Sequence, residues 1–235
     1  MRSRIAVFVV IIQTVLFFGH WFLYETWKAF FPAPDGRPRI WLEVALAVLS
    51  ISFVLASLLA WRSFNLGIRV LYSAAAVWMG ILNFCFLAAG SCWALWGAAR
   101  LAGFHPDRRV LAAPVFGIAL AVSLYGLVNA AWTRVTCITA KLPNLPASWR
   151  GRVAALVSDT HLGHVHGHRF LRRIVAMLNR LQPDIVLIAG DLYDGTVADL
   201  DLLARPLSKL SAPLGAYFVA GNHEEFSDHA SISEL

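Results

Sequence analysis

The apolar positions follow two regimes along the chain. Up to about residue 133 they form long, nearly unbroken runs, at 5–24, 41–61, 70–99 and 110–132. Each run reaches or exceeds the roughly 20 apolar residues that a helix needs to cross a bilayer core. The third exceeds a straight crossing and predicts a tilted helix or one with an interfacial end. Trp21, Trp27, Trp41, Trp61, Trp96 and Trp132 stand near the run ends, where indole rings favour the membrane–water boundary. After residue 150 the runs shorten to five residues, at 153–157, 185–189 and 216–220. Short apolar runs rich in β-branched and aromatic residues, alternating with helical patterns, predict βαβ units of a parallel sheet buried on both faces.

Between these strands, residues 168–181 predict an amphipathic helix. Phe170, Leu171, Ile174, Val175 and Leu178 share one face, and Arg169, Arg172, Arg173 and Arg180 take the rest. A second helix is expected over 197–210 with Leu200, Leu203, Leu207 and Leu210 toward the sheet, kinked or shortened by Pro206. Asp199 and Asp201 near its start are better read as favourable charges at a helix N-terminus than as extra metal ligands. The domain organisation expected is therefore a transmembrane helical domain at 1–133, a linker at 134–150 containing Pro143 and Pro146, and an α/β domain at 151–235.

Composition sharpens the membrane reading, since 58% of the 235 residues are hydrophobic and only 14% are charged. The first run follows Arg2 and Arg4 as a signal peptide would, but it is too long for a cleavable core, and an uncleaved anchor is expected. With the N-terminus inside, eight loop Lys and Arg fall on the cytoplasmic side and six outside. This small bias places the α/β domain in the cytoplasm, facing a bacterial inner membrane. The net charge of +6 is spread rather than clustered, which suits anionic membrane lipids and gives no support to a nucleic-acid partner. Gln13, His20, Glu25, Glu43, Asn83 and Asn129 are the polar residues within or beside the runs. Most lie near a run end, where they reach headgroups, and for the deeper Asn83 and Asn129 an interhelical hydrogen bond is a plainer expectation than a transport or proton-relay role. Cys85, Cys92 and Cys137 have neither metal nor disulfide spacing.

The chemistry lies where the three strand runs end. They lead into Ser158-Asp159-Thr160-His161, Gly190-Asp191-Leu192-Tyr193-Asp194 and Gly221-Asn222-His223-Glu224. Ligands of parallel α/β sheets sit at the carboxyl ends of the strands, so Asp159, His161, Asp191, Asn222 and His223 are expected to converge. Carboxylate, imidazole and amide donors without thiolate suit divalent Mn, Fe, Zn or Mg. Turn-forming and capping roles explain any one of these motifs, but not three ending in the same way.

These motifs, D-x-H, G-D-x-x-D and G-N-H-[DE] in order, resemble those of the calcineurin-like metallophosphoesterase family, and S-D-x-H-x-G resembles its membrane-associated bacterial branch. The resemblance covers about the last 85 residues and implies the first half of an α/β metallophosphoesterase sandwich behind a multi-span helical membrane domain. It further implies two divalent metal ions. Asp159 and His161 would hold the first, Asp191 would bridge both and Asn222 would hold the second. His223 would contact the phosphate or protonate the leaving oxygen, and the Asp194 carboxylate would orient His223 or the metal shell.

The family's late G-H-x-H motif has no counterpart in position, because Gly163-His164-Val165-His166 directly follows the first strand. His164, His166 and His168 are loop histidines for which a direct metal or phosphate contact is the lesser expectation. Glu225, Asp228 and His229 follow the third motif without an assigned role. The expectation is a membrane-anchored phosphoester hydrolase, truncated before the late motif, with a phosphoester substrate that is lipid-linked if proximity decides. The alternatives are a noncatalytic membrane protein or inactive fragment, and a transporter or sensor regulated by the soluble part.

Overall fold

The computed structural model describes residues 2–32, 37–196 and 198–226. Side chains of residues 2–5, 37–39, 225 and 226 lie outside this description, as do Asp228 and His229. The four apolar runs form helices α1 (Arg2–Phe30), α2 (Arg37–Ala60), α3 (Leu66–Leu101) and α4 (Arg108–Ala131), all long and apolar enough to cross a membrane. At 1.5 Å per residue the 36 residues of α3 extend well past a hydrocarbon core of about 30 Å. α4 starts where the Asp107 carboxylate accepts the Val110 amide, a side-chain cap for an otherwise unpaired donor.

The chain clusters into two compact units. One comprises Met1–Leu58 and Leu71–Val135; the other comprises Leu59–Val70 and Thr136–Leu235. In the first unit the polar side chains bridge helices. Gln13 donates to the Ser50 carbonyl (3.0 Å), Trp78 donates to His20 Nε2 (2.8 Å), and Trp93 donates to the Thr26 hydroxyl (2.9 Å). Such bonds satisfy groups that hydrocarbon would otherwise leave bare. Large apolar side chains such as Phe8, Val15, Trp41, Val48, Ile118 and Tyr125 point outward, as expected of helices solvated by lipid rather than water.

In the second unit, strands β1 (Ala154–Val157), β2 (Ile185–Ala189) and β3 (Ala216–Val219) make a parallel sheet in the order β1-β2-β3. Helix α5 (His168–Arg180) lies between β1 and β2 in the chain. It buries Leu171, Ile174, Val175 and Leu178 in a core with Ala155, Val186 and Ile188. Each of these four contributes about 2 kcal/mol of apolar burial. The arginines of α5 are exposed. Pro206 shortens the next helix, as its missing N–H and ring require: α6 (Leu200–Ala204) gives way to a 3-10 turn at Arg205–Lys209. Asp199 caps α6 by accepting the Leu202 amide at 3.0 Å.

The expectation of a sheet buried on both faces is corrected here. Register aligns Leu156 with Leu187 and Tyr217, and these side chains are 69%, 38% and 56% exposed. Only the alternate residues meet α5 and α6, because side chains of a strand point to opposite faces in turn. A short α7 (Asn222–Phe226) follows β3 directly.

Candidate metal centre

The three loops that follow the strands continue the sheet's hydrogen bonding beyond its edge. Asp159 N donates to Gly190 O (3.3 Å), His161 N to Asp191 O (3.0 Å), Leu162 N to Leu192 O (2.8 Å) and Asp194 N to Leu162 O (3.0 Å). The first and second motifs are thereby fixed against each other. To make these turns Asp159, His161 and Asp191 take φ values of 54°, 44° and 51°. This left-handed region is costly for most residues but entered more readily by Asp, Asn and His. Backbone held this way concentrates at functional sites.

The third motif is tied in by Glu224, whose place in the sequence gave no sign of this task. It is fully buried, and its carboxylate accepts the amides of Asp191 (2.9 Å), Tyr193 (2.9 Å) and Gly221 (2.7 Å). Two glycines make the close approach feasible. A Cβ on Gly190, whose φ is 80°, would lie 2.8 Å from the Gly221 Cα, and one on Gly221 would lie 2.3 Å from Asp191 Oδ1.

This scaffold brings His161, Asp191 and His223 together, with one ligand atom of each within 4.8 Å of the others. The His161 and His223 rings meet edge to face at 4.6 Å. Asp159 joins them through its carboxylate oxygen, 3.8 Å from His161 Nε2, and is two-thirds exposed. The His223 amide donates to Asp191 Oδ1 at 3.1 Å. Asn222, one residue earlier, opens α7 with its side chain exposed. Two imidazoles and a carboxylate, half-buried and free of thiolate, fit a borderline divalent ion.

Asp194 meets His223 differently from the sequence expectation. Its main-chain oxygen, not its carboxylate, lies 3.2 Å from His223 Nδ1. A carbonyl only accepts, so Nδ1 donates and Nε2 is the nitrogen able to accept. The Asp194 carboxylate instead accepts the His164 amide on Oδ2 (3.1 Å) and both the Thr196 amide (2.9 Å) and hydroxyl (2.5 Å) on Oδ1. It fills the space where a Cβ on residue 163 would stand, 1.9 Å from Oδ2, which is why that position is glycine. Of the other histidines expected in this loop, His168 is exposed and opens α5, while His164 and His166 are engaged by protein oxygens. His164 Nδ1 lies 2.9 Å from Thr196 Oγ1, and His166 Nδ1 donates to Thr160 O at 2.9 Å while its ring stacks on Phe170.

Tyr193 stands behind the site with its hydroxyl buried and without a hydrogen-bond partner among the described residues. Burial, then the neighbouring Asp201 and Glu224 charges, pushes its phenol up to about 12.

Residues 153–234 match the family model for calcineurin-like phosphoesterases. A transmembrane protein with metallophosphoesterase domain from Danio rerio is 42% identical over 111 residues, 47% of this chain and 25% of that protein. Its namesake from Bos taurus is 31% identical over 205 residues, 82% of this chain and 46% of that protein. The UDP-2,3-diacylglucosamine pyrophosphatase LpxG of Chlamydia trachomatis is 34% identical over 92 residues, 39% of this chain and 28% of that protein. The chain spans less than half the length of these relatives. No solved structure matches it significantly. The relatives come from animals as well as bacteria, so the likeness is to the family at large. With four helices fit to cross a bilayer, the chain is a membrane protein whose residues 153–234 belong to the calcineurin-like phosphoesterase family.

Proposed function

We propose that this chain belongs to a membrane-anchored phosphoester hydrolase that works with two divalent ions drawn from Mn, Fe, Zn or Mg. The observation that carries the reading is the meeting of His161, Asp191 and His223 at the ends of three strands. Asp159 and His161 would hold one ion, Asp191 would bridge to a second, and Asn222 would serve the second. Divalent ions there supply charge to polarise phosphoryl oxygens. His223, turned by the Asp194 carbonyl so that Nε2 faces away from Nδ1's partner, is the group to contact the phosphate or return a proton to the leaving oxygen.

A lipid-linked phosphoester is the substrate class we favour. The catalytic unit is chained to four membrane helices, and one relative is named for a diacylglucosamine pyrophosphatase. The even number of spans and the small excess of loop arginine and lysine support a cytoplasmic soluble unit, on the side of the N-terminus.

The deciding experiment is Mn2+ binding by electron paramagnetic resonance, alongside hydrolysis of bis(p-nitrophenyl) phosphate, for the wild type and for Asp191→Ala. Wild type is expected to bind and turn over only with the metal, and Asp191→Ala to lose both. Metal-independent turnover, or unchanged Mn2+ binding in Asp191→Ala, would reject the reading.

A further inference from the structure

The segment Leu59–Val70, which joins the end of α2 to the start of α3, clusters with the phosphoesterase unit. Its point of attachment is His164, a histidine 1% exposed whose contacts reach across about a hundred residues of sequence. The Ser63 carbonyl lies 3.2 Å from His164 Nε2, and since a carbonyl only accepts, that nitrogen donates. Phe64 packs edge to face on the imidazole at 5.0 Å. Arg69 Nε donates to the His164 carbonyl at 3.2 Å, and its guanidinium lies over the Phe64 ring at 5.5 Å.

From His164 the contacts run onward to the site. Its amide donates to Asp194 Oδ2, and its Nδ1 meets the Thr196 hydroxyl that holds Asp194 Oδ1. The main chain of Asp194 then sets the His223 ring. A buried side chain serving only to fill space would be better apolar, because every polar atom taken from water must regain a partner. Here both ring nitrogens and both main-chain groups of His164 are used, and the contacts join the α2–α3 connector to the Asp194 loop.

We infer that the α2–α3 connector is a positioning element of the phosphoesterase site, acting through His164 and Asp194 on the orientation of His223. Arg69 and Phe64 are its outer members, and their contacts are with His164 and with each other. The inference rests on the function proposed above for His223, but the coupling itself is a property of the fold and is measured separately. It also requires the connector and the phosphoesterase unit to share one side of the membrane, which α3 and α4 provide if both cross.

The test uses the full chain in lipid nanodiscs, comparing wild type, Arg69→Gln, Arg69→Lys and Phe64→Leu. Hydrogen–deuterium exchange reads residues 163–167 and 191–196, and nuclear magnetic resonance of ring-labelled histidine reads His223. In Arg69→Gln, exchange in both loops is expected to rise about tenfold, the factor corresponding to one hydrogen bond from a charged donor. Exchange in α5 should stay as in the wild type, and the His223 ring signal should move. Arg69→Lys restores part of the protection, and Phe64→Leu loosens the same two loops.

Where the wild type hydrolyses the phosphodiester, kcat in Arg69→Gln falls with KM unchanged. Where it does not, the proposed function fails while exchange and the His223 signal still decide the coupling. Unchanged exchange in both loops with an unmoved His223 signal overturns the inference. So does a rise spread equally over α5 and β2, which would make Arg69 a general support of the fold.

Discussion

Glu224→Gln tests how the third motif is held to the second. The native carboxylate divides three amides between its oxygens: Oε2 takes Asp191 N and Gly221 N, and Oε1 takes Tyr193 N. A carboxamide has only one accepting oxygen. Placed at the two-donor position, it turns its NH2 group onto the Tyr193 amide, so two donors face each other in a site without solvent. One charge-assisted bond is lost, one buried amide is orphaned and two bonds are weakened to neutral ones. The sum is about 2–4 kcal/mol. Glu224→Ala orphans all three amides at about 1–3 kcal/mol each, comparable with much of a small domain's stability.

Native-state hydrogen exchange measures this locally, amide by amide. The amides of Asp191, Tyr193 and Gly221 should exchange about 30-fold to several hundredfold faster in Glu224→Gln, at about 1.4 kcal/mol per factor of ten. Amides inside α5 should be unaffected. Retention of wild-type protection at all three amides would refute the claim that this carboxylate fastens the two motifs together.

Gly163→Ala places a methyl group 1.9 Å from Asp194 Oδ2; it should destabilise the unit by about 1–3 kcal/mol in denaturant unfolding, and wild-type stability would show that Asp194 yields freely. Tyr193→Phe removes a hydroxyl with no partner among the described residues and should be neutral or stabilising by about 1 kcal/mol at neutral pH. Because the folded phenol is raised to about 12, its contribution is complete below the usual value of about 10 and lost as pH rises through about 12. The phenylalanine variant should lack that part of the alkaline decline, and a clear loss of stability at neutral pH would disprove the orphaned hydroxyl. Asp184 is held below the usual carboxylate range by the Val153 amide and then by Arg152. Its contribution is therefore present above a pH of about 4 and lost as pH falls through its lowered value. Asp184→Asn should be less stable than wild type at neutral pH and converge with it in acid, as followed by urea unfolding at both.

The parts of the fold written in local pattern were legible. Apolar run length announced α1 to α4, and the alternation of five-residue runs with an amphipathic stretch announced β1, α5, β2 and β3. The convergence of His161, Asp191 and His223 followed from their common place after strands. What stayed hidden depends on partners distant in sequence. Nothing around Glu224 says that its carboxylate meets three amides, since buried ion-like side chains look the same in sequence as exposed ones. The sequence predicts that the Asp194 carboxylate orients His223 or the metal shell; the contact to His223 is made by its carbonyl, and main-chain groups leave no residue-type signal. Apolar strand residues imply burial without naming what covers them, so the sequence predicts cover for a face whose Leu156, Leu187 and Tyr217 are exposed in the structure.

The site's order is set less by the strands than by the loops beyond them. Asp159, His161 and Asp191 each hold left-handed backbone, at about 1–3 kcal/mol apiece where the residue is not glycine. Strands ending at Val157 and Ala189 do not impose those angles. The offset comes from the bonds Asp159 N to Gly190 O and His161 N to Asp191 O, together with the Glu224 clamp on Asp191 N. Each turn thus draws its support from another motif, so loosening one motif should release the angles of the others. Local substitutions at Glu224 or Gly163 are for this reason expected to disturb ligand geometry at residues they do not touch, while apolar substitutions in α5 lower stability and leave that geometry intact.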